Sequence, residues 1–362
     1  MKMSKLCGVL LLCAWLPGAQ AAKSLNVYNW SDYIAEETVP AFEKRTGIKV
    51  RYDVYDSNET LKGKLMTGKT GYDVVVPSHN TMGLGVKAGM FRALDKSKLP
   101  NWRYVDPELL RLLASFDPGN RYAVPYFWGI NTIGINVAKV EKALGGKLPD
   151  DPWALVFDPA TVAKLKQCGI SVYDSPSEFF PEALHYFGKD PNSDNIADYE
   201  ALMPALGKLR PHYSRFSSSG YINELASGSI CVAMGFSGDL HIAKRRAEEA
   251  KNGVKIQVLL PKKGLDVWVD TMAIPVDARN IDEAHAFINA MLDPKTAAAN
   301  ANAVSYAPGV SAARPYIDAR FTRERSVFPT SQDLQGSYMA KTLSAKTMQG
   351  YTRLWQRLKS AR

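Results

Sequence analysis

Cysteine is scarce in this chain, with four among 362 residues, and Cys7 and Cys13 both fall in the first 21. No C-x-x-C pair occurs, which excludes a paired-cysteine zinc site or a thioredoxin-type redox motif. Histidine is equally thin: five residues, without H-E-x-x-H or any metal-ligand spacing. No G-x-S-x-G nucleophile elbow is present, and Gly83-Leu84-Gly85 lacks the Lys-Ser/Thr end of a phosphate loop. No metal, cofactor or catalytic group is therefore expected. Beyond the N-terminus no apolar run approaches the roughly 20 residues needed to span a bilayer. The net charge is +9, or +7 without Lys2 and Lys5, yet Lys and Arg form no long block. A solvated basic surface fits better than a nucleic-acid site.

What is present begins with an export signal. Lys2 and Lys5 precede an apolar run from Leu6 to Leu16, and Ala19-Gln20-Ala21 makes a small-residue cleavage site. About 11 apolar residues are too few to anchor the chain across a membrane. Cys13 follows Leu12, which is not the small residue that precedes a lipid-bearing cysteine. The reading is a signal peptide over 1–21 and a soluble mature protein starting near Ala22. Cys168 and Cys231 then form an even pair in an oxidising compartment, so a disulfide is expected, with two buried thiols as the alternative.

The remainder, about 340 residues, has room for two cores. Strand and helix signals alternate: Leu25 to Tyr28, Glu36 to Thr46, Ile48 to Tyr52, Asn58 to Met66, then the apolar run Asp73 to Pro77. Strand–helix–strand repetition predicts an α/β fold. Tyr122 to Pro125 and Ile133 to Asn136 read as extended crossovers between lobes. A second α/β stretch follows, with strands at Ile170 to Tyr173 and Cys231 to Phe236, and a third holds Ile256 to Pro261 and Val267 to Pro275.

The ends of these apolar runs repeat one theme. Asn29-Trp30-Ser31-Asp32-Tyr33, Ser78, Asp174 to Glu178, Gly235 to Asp239, Trp268-Val269-Asp270 and Tyr306 mix aromatic or hydroxyl residues with carboxylates. Ligands of open α/β sheets bind outside the carboxyl ends of strands. Carboxylates replace the water lost by a buried ammonium, and aromatic faces attract it by roughly 0.5–2 kcal/mol each. Such a set suits a flexible multi-cation. Because the whole molecule is basic, the site must be acidic locally, against the mean field.

Val27 to Ile34, Phe42 to Val50, Tyr55 to Thr60, Gly71 to Ser78 and Leu94 to Trp102 strongly resemble the periplasmic putrescine- and spermidine-binding proteins of bacterial polyamine ABC transporters. Lys166 to Gly169, Tyr221 to Ala226 and Ile230 to Ala233 continue the likeness over essentially the whole mature chain. The resemblance implies a type II periplasmic-binding-protein fold: two lobes, a discontinuous chain and hinge crossovers. The expected lobes are 22–130 with 246–318, and 131–245 with 319–362. It implies a ligand set of Trp30, Ser31, Asp32, Tyr33, Ser78, Glu178, Ser218, Phe236, Asp239, Trp268, Asp270 and Tyr306, and a Cys168–Cys231 bridge like the family's. Phe236 stands where the putrescine-binding branch usually has Trp, and Trp268 where some members have Phe; by analogy these favour spermidine over putrescine. The expected partners are a polyamine and an inner-membrane ABC permease, without nucleic acid, and the expected state is a periplasmic monomer. Three alternatives stay open: another cationic or amino-sugar ligand, a polyamine sensor, and a hydrolase using Glu178 and Asp239 as acid and base. Asp32 as a helix cap or hinge salt bridge, and Ser78 and Ser218 as caps or turn residues, are the structural readings that compete with ligand contact.

Overall fold

The computed structural model describes residues 23–330 and 332–361. The signal peptide expected over 1–21 lies outside them. Ten strands among the described residues are Ser24–Trp30 (β1), Lys49–Tyr55 (β2), Val74–Val75 (β3), Ala123–Asn136 (β4), Ile170–Val172 (β5), Arg215–Phe216 (β6), Val232–Phe236 (β7), Ile256–Val258 (β8), Val267–Ala273 (β9) and Ala307–Pro308 (β10). Their order is β2-β1-β3-β9-β4-β7-β5-β6, with β8 and β10 also on β4.

The sheet has two parallel wings joined by an antiparallel centre. β1 lies parallel to β2 and β3, and β5 parallel to β6 and β7. The centre is β4, whose fourteen residues run through both halves. Ala123 to Ile130 pair with β9, and Asn131 to Ile135 with β7. The two segments expected as separate crossovers are therefore one strand. Between them the strand continues through Tyr126 to Thr132, although its pairing with β9 shifts register between Pro125 and Trp128.

The inner strands of the wings, β3, β5 and β7, are buried on both faces, as in parallel sheets generally, while β2 and β6 form partly exposed edges. One core gathers Leu25, Val27, Phe42, Val74, Val124, Ile274 and Phe287; another gathers Ile133, Phe157, Val172, Phe179, Leu184, Val232 and Trp355. Burying each such side chain is worth roughly 1.5–3 kcal/mol. β8 lies on the second half of β4, while Phe321 and Phe328 pack on the first core.

Local chemistry sets the helix ends. The helix Thr38–Thr46 stops at Gly47, whose φ of 72° is a left-handed cap that glycine adopts without a Cβ penalty. Prolines open the helices Pro176–Tyr186 and Pro294–Val304 at the position where a missing N–H costs nothing. The helix Ser237–Ala250 follows directly on β7 and carries Asp239 in its first turn. The helices His79–Lys87, Pro107–Leu113 and Val137–Leu144 lie where the sequence reading placed no element.

Cys168 and Cys231 are joined, with Cα atoms 5.4 Å apart and 63 residues of separation. The bond ties the turn before β5 to the residue before β7, two parallel neighbours. Substituting both by serine is expected to lower unfolding stability by about 2–4 kcal/mol, read by urea denaturation. An unchanged midpoint would show that the bridge constrains little.

Candidate functional site

A cavity opens between the wings, and all twelve residues expected as ligand contacts line it. Trp30 ends β1, Ser78 follows β3, Glu178 opens the helix after β5, and Phe236 ends β7. These parallel strands deliver their carboxyl ends to one place. Asp270 arrives differently, from the interior of the fully buried β9, opposite Ser78.

Three carboxyls dominate the site, and each is held by neutral donors. Asp270 Oδ1 accepts from Ser78 Oγ at 2.7 Å, and Oδ2 from the Tyr33 hydroxyl at 2.8 Å. Asp239 accepts from the hydroxyls of Tyr306 at 2.6 Å and Tyr221 at 2.7 Å. Glu178 accepts from the side-chain amides of Asn58 at 3.1 Å and Asn131 at 3.3 Å. Burial pushes Asp270 and Glu178 up to about 7 and Asp239 up to about 6, while these same donors pull the other way. Neutral donors orient a carboxylate without neutralising it. The charge stays available to a ligand.

Aromatic rings complete the walls. Trp30 lies on Tyr55 with centroids 4.7 Å apart and donates Nε1–H to the Val76 carbonyl at 2.9 Å, so its face is fixed. Trp268 stands edge-on to Tyr306 at 5.2 Å and to Phe236 at 5.8 Å. Tyr306 sits so close to the first turn of the helix Ser237–Ala250 that a Cβ on Gly238 would lie 2.5 Å from its ring. Glycine there permits the Tyr306–Asp239 contact.

The remaining expected residues fall into place with distinct roles. Tyr33 both packs, against Tyr126, Phe127 and Tyr306, and orients Asp270. Asp32 has a left-handed backbone (φ 53°) and pairs with Arg246 at 3.2 Å, the hinge-type salt bridge weighed for it, while also lining the cavity. Ser78 precedes the helix His79–Lys87 but makes no side-chain cap bond; its hydroxyl serves Asp270 instead. Ser31 hydrogen-bonds the Tyr55 carbonyl at 3.3 Å, and Ser218 lines the wall.

The sequence reading missed Tyr221, Asn58 and Asn131, which hold the carboxyls, and Tyr55, His79, Asp266 and Ala340 in the wall. Asn131, a polar residue inside the apolar run of β4, was the available signal; Asn58 and Tyr221 sit in polar stretches.

Residues 37–327 match the family model described as bacterial extracellular solute-binding protein. The chain belongs to the bacterial extracellular solute-binding proteins. Within that family it is 46% identical to the putrescine-binding periplasmic protein SpuD of Pseudomonas aeruginosa, over 99% of this chain and 100% of the relative. It is 47% identical to the putrescine-binding periplasmic protein PotF of Escherichia coli, over 95% of this chain and 93% of the relative. Among solved structures, a putative spermidine/putrescine ABC transporter protein from Listeria monocytogenes superposes with a TM-score of 0.84 at 33% identity, covering 94% of this chain and all of that one. This likeness shows the type II solute-binding fold.

Proposed function

We propose that this protein is the periplasmic substrate-binding component of a polyamine ABC transporter, taking spermidine or putrescine into the cavity between its wings. One observation carries the reading: three buried carboxyls, hydrogen-bonded only to neutral donors, face a cavity walled by Trp30, Phe236, Trp268 and Tyr306. Ammonium groups satisfy the acids, and the rings pack the methylenes at about 0.8 kcal/mol each. The relatives named for putrescine support the same chemistry.

The proposed lobes keep the ranges 22–130 with 246–318 and 131–245 with 319–362, apart from two segments. β8 goes with the second lobe, and the stretch around Phe321 and Phe328 with the first. The lobes open and close by bending where β4 and its neighbours pass between them, and an inner-membrane permease reads the closed shape. Binding and release are the whole activity, without covalent change to the amine, and the protein acts as a monomer.

Calorimetric titration with putrescine, cadaverine, spermidine and spermine tests this. A saturable one-to-one site for at least one of them is expected. Spermidine is expected to bind more tightly than putrescine if Trp268 and Phe236 shape the cavity as their exchange suggests. Absence of binding for all four would overturn the reading.

A further inference from the structure

Below Glu178 lie two further acids that neither the fold nor the three anchors require. Glu182, one turn further along the same helix, is fully buried, and Asp266, just before β9, is 3% exposed. Each has one oxygen accounted for. Glu182 Oε2 accepts from the Tyr338 hydroxyl at 2.8 Å, and Asp266 Oδ2 from the Asn131 amide at 3.0 Å. Glu182 Oε1 and Asp266 Oδ1 are buried with no donor at all. The two carboxyls lie within hydrogen-bonding reach of each other. Two ionised carboxylates cannot face one another in a dry interior; one proton between them satisfies both orphaned oxygens at once.

The groups around the pair are neutral or acidic: Tyr338, Asn131 and Glu178, with the Tyr173 hydroxyl behind Asn131 at 3.2 Å and the His185 ring against Tyr338 at 5.1 Å. Burial, and for each the neighbouring acids, hold both carboxyls above the usual carboxylate range. Asn131 ties the pair to the cavity, since its one amide nitrogen serves both Asp266 and Glu178. Asp266 also lines the cavity itself.

We propose that Glu182 and Asp266 share one proton and form a buried monoanion beneath the cleft, which strengthens the hold on a ligand ammonium at Glu178. The proposal rests on the polyamine reading only for its second half. Asp266 and Glu182 are positioning residues: they act through Asn131 and through charge.

Isosteric variants separate charge from proton. In Glu182→Gln or Asp266→Asn an amide hydrogen replaces the shared proton and one negative charge remains. In the double variant the charge is gone. Infrared spectra of the ligand-free protein at pH 8, where Glu178, Asp239 and Asp270 are mostly ionised, should show a protonated-carboxyl band that each single variant loses. Putrescine and spermidine titrations at pH 8 should give dissociation constants within about threefold of wild type for Glu182→Gln, whose side chain does not line the cavity. The double variant should bind about tenfold more weakly, the scale of a nearby unit charge in a medium of intermediate dielectric. No band in the wild type, or Glu182→Gln binding as weakly as the double variant, overturns the shared proton. A double variant that binds like wild type overturns the role in binding. If the wild type binds neither amine, the polyamine reading falls while the infrared result still decides the pair. Should the double variant fail to fold, the single variants and the band remain the test.

Discussion

Replacing Asp270 or Asp239 by alanine is expected to weaken polyamine binding by about 2–5 kcal/mol, or roughly 30-fold to several thousandfold. The size follows from the surroundings. An ammonium drawn into this cavity gives up its hydration, and little besides these carboxyls can replace it. Ser78 and Tyr33 would remain around the vacated Asp270 position as hydroxyls that have lost their acceptor. Asp32 supplies the contrast. Its side chain is 48% exposed and already engaged with Arg246, so Asp32→Asn should cost less than about 1 kcal/mol. Isothermal titration of the three variants, with thermal melts to show that each is folded, measures this. Dissociation constants unchanged at both Asp239 and Asp270 would remove the anchors from the site. Stability should move the other way: loss of a buried acid held only by neutral donors relieves a desolvation cost, so ligand-free Asp270→Asn should melt no lower than wild type.

How much of this was legible in the sequence depends on the kind of residue. Trp30, Ser78, Glu178 and Phe236 sit at strand ends, where the change from apolar to polar marks the boundary, and the crevice rule then brings them together. Asp270 was legible for another reason: a carboxylate inside Val267–Ala273 must have a use. The donors were harder. Tyr221 lies 18 residues before Asp239 in sequence, and Asn131 is 47 residues from Glu178. Only the folded chain brings these pairs into contact. The same holds for β4, which short-range patterning split in two because strand length is set by what pairs on either side. Glu182 shows the limit most clearly, since it reads as an ordinary helix carboxylate until Asp266 is placed against it.

Polyamine affinity should fall as pH drops from 8 to about 5.5, and protons should be released to the buffer on binding near pH 6.5. The sign follows from the raised carboxyls. In the ligand-free protein Asp270 and Glu178 titrate near 7 and Asp239 near 6, all above their unfolded values near 4. Protonation therefore stabilises the ligand-free fold below about pH 4, and this contribution is lost as pH rises through 6 and 7. An ammonium needs the ionised form, so binding below those values must first expel protons. If the ligand-free protein rests in the closed form, three such groups make binding several thousandfold weaker at about pH 5.5 than at about pH 8. If it rests open, hydration returns the acids toward their ordinary values near 4 and the effect shrinks to less than about twofold. The slope thus reads the closure equilibrium as well as the chemistry. Titrations at pH 6.5 in phosphate and in a buffer of high ionisation enthalpy should give different apparent enthalpies, converging by about pH 8.5. Identical enthalpies at pH 6.5, with affinity flat down to 5.5, would mean that the three acids are not raised in the ligand-free protein, as in a hydrated open cleft.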